Sequence, residues 1–293
     1  MSLFNSSVYV WPSLTQVQFK EMPFVLDRGL HFGDGVFETF RFSENQIPFL
    51  KAHLDRLSHG LERMKIPINY PIKNIYEWLK HSIKVFPAQD GVGKLIMTRG
   101  SWNGNILPQD PWPHLILFVR VVDKPNDFNS LTAQKLKIIS FPKNQLSPIC
   151  GIKTLNYAEH IIAKQEAQAN GCDDGIFLNL DQYLTECSTS NIFFIKNNEL
   201  ITPDVSCGLL PGITRDILFK ISESVNLKTS EKKLKVEDIS GCEEIFISNS
   251  SFGIFPIQEI QGHWNSKGNY SKTELLFNEY WKYFDSKIQV VSV

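Results

Sequence analysis

The chain has 293 residues, 42% hydrophobic and 21% charged, which suits a folded soluble protein with room for two domains. Its 30 Lys+Arg against 31 Asp+Glu leave a formal net charge of −1, so no long-range pull on nucleic acid or anionic membrane is expected and any anion must be met locally. Cys150, Cys172, Cys187, Cys207 and Cys242 are scattered without a CxxC pair or a Cys/His cluster, which argues against a zinc site and a disulfide framework. Reduced thiols in a cytoplasmic protein are expected, with Cys187 as packing and not a nucleophile. No basic residue precedes Lys20 and no long apolar run opens the chain, so a signal peptide is not expected; the apolar runs are of strand length.

In chain order, residues 7–10 and 36–42 carry strand-like β-branched and aromatic residues, with a Gly-punctuated turn over 27–35 between them. Leu54, Leu57, Leu61 and Met64 recur at three- and four-residue steps and predict an amphipathic helix; a second helix is expected over 75–85. Strands follow at 94–98 and 115–121, joined by a Gly/Asn/Pro-rich loop over 100–113. The polar turn chemistry of 124–131 predicts a linker between an N-terminal α/β domain, 1–123, and a C-terminal α/β domain, 132–293. In the second domain strands are expected at 136–141, 175–178, 191–195 and 244–247. Helices are expected at 157–170, stopped by Gly171, at 213–225, entered through Pro211-Gly212, and at 272–284.

Several residues carry chemistry. Lys153 lies between a strand and a helix, where a cleft would open, although a lysine taken alone is more often a solvated charge. Glu186 sits among strand formers, so it either caps a turn or faces a buried partner, since a buried carboxylate is costly unless paired. Pro211-Gly212-Ile213-Thr214-Arg215 reads as a helix start, whose free N–H groups suit a phosphate or simply mark a plain helix entry. Arg56 offers a guanidinium fork, or is a surface arginine; Ser248-Asn249-Ser250-Ser251 offers hydroxyls and amides, or is a polar turn.

The order of five segments changes the weighting. Asp27-Arg28-Gly29…Phe32-Gly33-Asp34-Gly35-Val36-Phe37-Glu38-Thr39, His53-Leu54-Asp55-Arg56-Leu57, Lys153…Asn156-Tyr157, Glu186…Asn191-Ile192-Phe193 and Leu210-Pro211-Gly212-Ile213-Thr214-Arg215 resemble, in sequence order, the class-IV aminotransferases. The likeness runs from about residue 26 to residue 257. This resemblance implies a two-domain α+β/α/β fold of the fold-type-IV, D-amino-acid-aminotransferase-like kind, with the active site in the interdomain cleft. It implies pyridoxal 5'-phosphate as cofactor, with Lys153 forming the Schiff base and shuttling the proton. Glu186 would bind the pyridine nitrogen; Arg56, the Ile213 and Thr214 amides and Ser250 would hold the phosphate; Tyr157 would lie near the phenolic oxygen. A homodimer completed by a neighbouring subunit is implied as well.

Three details bear on the branch. Glu38 is followed by Thr39, as is typical of the 4-amino-4-deoxychorismate lyase branch, where branched-chain aminotransferases have glycine; its hydroxyl is a candidate proton donor. Asn249 replaces the glycine of the branched-chain Gly-Thr-Ala turn. The segment from Arg99 to Ile106 lacks the Arg-x-His pair of D-amino-acid aminotransferases, and Gly104 and Ile106 stand where some lyases have arginine and tyrosine. Trp102 is expected to act as a lid, an interface residue or packing. The leading expectation is a lyase releasing pyruvate and 4-aminobenzoate, a folate precursor. The alternatives are an aminotransferase using 2-oxoglutarate, of branched-chain rather than D-amino-acid type, or, from a different class, a non-catalytic pyridoxal-phosphate carrier or an α/β binding module.

Overall fold

A computed structural model describes residues 6–11, 15–16, 27–101, 105–125 and 127–289. Trp102 and Gly104 lie outside the described residues. The chain divides into two compact units.

The first unit contains β1 (Ser6–Trp11), β2 (Thr15–Gln16), α1 (Arg28–Phe32), β3 (Gly35–Phe42), α2 (Leu50–Arg63), α3 (Ile72–Lys84), β4 (Gly91–Thr98) and β5 (His114–Arg120). The strands form one antiparallel sheet in the order β2-β1-β5-β4-β3. Strand alternation sends Val36, Phe40, Phe42, Leu95, Met97, Leu115 and Leu117 to one face, where they pack on the stripe Leu54, Leu57, Leu61 of α2 and on Ile75 and Leu79 of α3. Glu38 lies on that same face. Phe37, Thr39 and, across the ladder, Lys94 and Ile96 point the other way.

This unit includes the long segment Met1–Lys124 together with Ile152–Tyr157. Lys153 was expected in the C-terminal domain. Backbone pairing explains the difference: Phe37 N–H donates to the Lys153 carbonyl at 2.9 Å, Leu155 N–H donates to Gly35 at 2.9 Å, and Val36 and Thr154 form an antiparallel bridge.

The second unit holds β6 (Gln134–Ile138), α4 (Ala158–Ala169), β7 (Asp174–Leu178), β8 (Leu184–Cys187), β9 (Asn191–Lys196), β10 (Glu199–Pro203), α5 (Ile213–Ser222), β11 (Lys228–Lys232), β12 (Glu244–Asn249), β13 (Gly253–Ile260), β14 (Trp264–Asn265) and most of α6 (Ser271–Gln289). Its mixed sheet runs β11-β10-β9-β12-β13-β6-β7-β8, with β14 on β13. Ile192, Phe194, Ile245 and Ile247 build the core on one face. Phe193 and Phe246, opposite each other in the ladder, stack at 4.9 Å on the other. Glu244 caps α6, accepting Thr273 N–H and its hydroxyl, both at 2.7 Å, and Phe277, Tyr280, Trp281 and Phe284 are buried as their spacing predicts.

Six strands were not expected: β2, β8, β10, β11, β13 and β14. β11 reads Lys-Thr-Ser-Glu-Lys with almost no apolar residue and is a strand because it pairs in parallel with β10. β13 contains Pro256 and a register shift between Ile257 and Glu259, features that mask a strand in sequence. β8 and β10 are short. Among the described residues no helix is long and apolar enough to cross a membrane.

Candidate active site

In the first unit, the turn before β3 is tied down by charge. Asp27 caps α1, accepting Gly29 N–H at 2.6 Å, the Thr98 hydroxyl at 2.8 Å and a contact from His114 Nδ1 at 2.6 Å. Asp34 accepts from both Arg28 and Arg99, each at 2.8 Å, and Arg99 also donates to the Met64 and Lys65 carbonyls that follow α2. Gly33 takes φ 64 to end α1, and a Cβ there would meet Asn156 Oδ1 at 2.8 Å, while Asn156 Nδ2 donates to the Gly33 carbonyl at 3.0 Å. The Gly-rich turn and the Lys153 segment are thus fastened together.

Lys153 is half-buried over aromatic rings. Its Nζ lies 4.4 Å from the Phe37 ring centroid and 5.9 Å from that of Tyr157, and the two rings meet edge to face at 5.4 Å. Tyr157 is therefore beside the lysine.

Arg56 is not a surface arginine. Its Nε donates to Glu38 Oε1 at 2.8 Å and its Nη2 to Glu38 Oε2 at 2.7 Å, while His53 Nδ1 meets Oε2 at 2.8 Å. Spacing by three on α2 puts His53 and Arg56 on the face toward β3. Burial pushes the Glu38 carboxyl up, but the Arg56 guanidinium, and then His53, outweigh it and hold it down at about 2. Burial likewise lowers His53, against the raising effect of Glu38, which keeps the ring neutral. Glu38 and His53 were not singled out in sequence, although both lie inside the quoted motifs. The signal was a carboxylate placed two residues after Val36 on a core-facing strand.

In the second unit, Glu186 is buried at the end of β8. Lys143 Nζ donates to its Oε1 and Leu210 N–H to its Oε2 at 3.0 Å. Burial pushes this carboxyl up, and Lys143, then His160, bring it below its ordinary value, so Glu186 is anionic. Lys143 was missed because no pattern marks it: it follows β6, held by its own N–H to the Leu178 carbonyl at 2.7 Å, and reaches Glu186 only through the fold. Replacing it by methionine breaks a buried ion pair and is expected to cost roughly 3–5 kcal/mol, measured as the shift in urea midpoint. A variant as stable as wild type would mean that Glu186 does not rely on this cation.

Ile213 and Thr214 are the first residues of α5. The helix is entered at Gly212 with no side-chain cap, so its first N–H groups have no partner within the helix and the positive end of its dipole lies at Ile213 and Thr214. Asn191 fixes the approach: its Nδ2 donates to the Leu210 carbonyl at 2.9 Å, and a Cβ on Gly212 would sit 2.1 Å from its Oδ1. Ser250 follows β12, in a turn shaped by Asn249, whose Oδ1 accepts Ser251 N–H at 2.9 Å and Phe252 N–H at 3.1 Å and whose Nδ2 donates to the Thr189 carbonyl at 3.1 Å. Asn249 is thus engaged in the turn. Cys187 is buried, and burial first, then Asp174, raise its thiol well above the ordinary value, so it is no nucleophile.

Each unit by itself carries groups of the kind that hold a phosphate-bearing ring: the first a guanidinium and an amine on aromatic rings, the second a buried anionic carboxylate and a helix N-terminus without a side-chain cap.

The family model described as amino-transferase class IV matches residues 35–260. A putative branched-chain-amino-acid aminotransferase of Methanocaldococcus jannaschii is 29% identical over 239 residues, 81% of this chain and 82% of that one. The crystal structure of a putative 4-amino-4-deoxychorismate lyase from Legionella pneumophila is 26% identical with a TM-score of 0.81, covering 92% of this chain and 98% of that one. A PLP-bound form of a hypothetical aminotransferase from Mycobacterium tuberculosis, 21% identical, has a TM-score of 0.79 over 96% of this chain and 99% of that one.

Proposed function

The chain belongs to the class IV amino-transferases, and from that premise we propose that it is a pyridoxal-phosphate enzyme cleaving 4-amino-4-deoxychorismate to pyruvate and 4-aminobenzoate, a folate precursor. We take it to act in the cytoplasm as a homodimer, as its resemblance to the family implies. It shares the two-domain fold of fold-type-IV PLP enzymes.

The observation that carries the lyase reading is on β3. Phe37 supports Lys153 Nζ, and two residues further along the same face stands Thr39, whose hydroxyl bonds to no other described residue. When bound, pyridoxal phosphate supplies an aldehyde for the substrate amine and a ring that draws electrons from the neighbouring C–H bond. Lys153 would be the amine that carries the cofactor and, once free, would take the proton from the amine-bearing carbon at its Nζ. Glu186 would accept from the ring nitrogen and keep it protonated. Arg56, the Ile213 and Thr214 amides and Ser250 would hold the phosphate, with Tyr157 on the side of the phenolic oxygen. Thr39 is placed to donate a proton on the substrate side as the enolpyruvyl group leaves. Proton transfer of this kind supplies ~10²–10⁴-fold in rate.

The Legionella structure supports this reading. The Methanocaldococcus relative favours a second one, an aminotransferase of branched-chain type using 2-oxoglutarate. The two share every step up to proton removal; the lyase reaction then breaks the C–O bond to the enolpyruvyl group, which leaves as pyruvate, whereas the aminotransferase reaction returns the proton and keeps the carbon skeleton intact. Purified protein given aminodeoxychorismate is expected to release 4-aminobenzoate, and to transaminate leucine or D-alanine with 2-oxoglutarate poorly. Vigorous transamination with no aminobenzoate would establish the second reading instead.

A further inference from the structure

Lys143 takes no part in the steps above, yet the second unit fixes both of its ends. Its N–H donates to the Leu178 carbonyl at 2.7 Å and its backbone bridges Asn179 in parallel, prolonging the pairing of β6 with β7. From there the side chain runs past the Phe177 ring, with Nζ 5.7 Å from the centroid, and ends on Glu186 Oε1. Lysine and glutamate are both buried. Burying such a pair costs hydration and rotamer freedom, and an apolar pair of the same size is often as stable. Stability alone therefore gives little reason for a lysine here.

The geometry at Glu186 supplies a reason. An ionised carboxylate offers about four acceptor positions. Lys143 takes one on Oε1, and Leu210 N–H takes one on Oε2 at 3.0 Å. One contact on each oxygen fixes the plane of the group and leaves each oxygen able to accept again. The lysine also decides the charge. Burial pushes this carboxyl up, and Lys143, ahead of His160, brings it down. His160 stands on α4, where its Nδ1 donates to the Ser188 carbonyl at 2.7 Å and its ring meets Phe177 edge to face at 5.3 Å.

We propose that Lys143 is a positioning residue that keeps the proton on the cofactor's ring nitrogen, by holding Glu186 as an oriented, ionised acceptor. This deepens the reading above and rests on Glu186 facing that nitrogen. The ring nitrogen and a buried carboxylate compete for one proton. A cation bound to the carboxylate favours the arrangement with negative charge on Glu186 and positive charge on the ring. Without that cation the proton moves along the hydrogen bond to Glu186, and the electron-withdrawing power that a protonated ring supplies is weakened.

The test reads the proton directly. Holoenzyme is reconstituted with pyridoxal phosphate isotopically labelled at its ring nitrogen. The nitrogen magnetic resonance is then compared with that of free pyridoxal phosphate in acid and in alkali. Wild type is expected at the protonated position. Lys143→Gln keeps an N–H donor for Oε1 without the charge, and its resonance is expected to move clearly toward the neutral position. Lys143→Arg restores the charge and is expected to stay with wild type. A Lys143→Gln resonance equal to that of wild type would overturn the proposal, as would a Lys143→Arg resonance that moves as far as that of Lys143→Gln. Failure of Lys143→Gln to fold or to retain the labelled cofactor would mark a structural support and overturn it too. Glu186→Gln is the control for the underlying reading, and its resonance is expected at the neutral position. If it stays with wild type, or if wild type itself is neutral, Glu186 does not serve the ring nitrogen and the proposal falls with that reading. None of these outcomes depends on turnover. A chain that behaves as expected here yet releases no 4-aminobenzoate loses the lyase reading alone.

Discussion

Lys153→Ala is expected to abolish turnover, by at least ~10⁴-fold, because one side chain supplies both the covalent anchor and the proton acceptor. The backbone of this segment is held by the pairing of Lys153 and Leu155 with β3, which does not involve the lysine side chain. The variant should therefore keep its circular dichroism and its thermal midpoint. Wild-type protein reconstituted with pyridoxal phosphate should absorb in the near-violet visible range, and the variant should lose that band. If variant and wild type are spectrally alike, another lysine holds the cofactor. Lys94 and Lys143 are then the residues to replace next.

The second large effect lies at Glu38. Its buried carboxylate receives two bonds from the partly buried Arg56 and one from His53, so Glu38→Gln leaves a guanidinium facing an amide N–H₂. Losing one partner of such a pair costs roughly 3–5 kcal/mol. The pH dependence has a definite sign. Glu38 is held at about 2 against its ordinary 4.5, so its contribution to stability is full above about 4.5 and is lost as the pH falls through about 2. His53 is lowered too, and charging it in acid acts in the same direction. Urea midpoints of wild type should fall across this window, and those of Glu38→Gln should be flatter there. The variant should also bind pyridoxal phosphate more weakly than pyridoxal without the phosphate, relative to wild type, since Arg56 loses its orientation. Parallel curves for the two proteins would show that the ion pair does not set acid stability.

How much of this was written in the sequence can be judged residue by residue. The Leu54/Leu57/Leu61 stripe and the aromatic stripe of α6 are local periodicities, and a helix repeats them whatever surrounds it. Thr39 and Phe37 were legible as a strand pair with a known neighbour, Glu38. What the strand did with Glu38 was not, because the direction of a carboxylate depends on the sheet packing under α2. Lys143 is the clearest loss. Nothing near it in sequence hints at Glu186, and the two meet only because β6 leads past β7 to the end of β8. Lys94 was read simply as the start of a strand; that it meets the ring of Phe37, two strand positions away on the neighbouring chain segment, follows from the pairing of β3 with β4. β11 and β13 went unseen for a related reason: edge pairing and a proline-containing register shift are decided by neighbours. Arg56 and Glu186 were named from the order of motifs, and geometry then supplied the partners that make each of them workable.

The pairing of residues 153–155 with β3 also has a kinetic side. β3 is the last strand of its sheet, and its outer edge is met by a stretch that emerges from synthesis long after β3 itself. Until then, Gly35–Phe42 offers open N–H and C=O groups on a strand rich in valine and phenylalanine, the kind of edge that recruits other chains. Closing it requires a distant contact and so comes late in folding. A fragment ending at Lys124 would keep that edge open for good and is expected to aggregate, whereas a chain extended through Tyr157 carries its own cover.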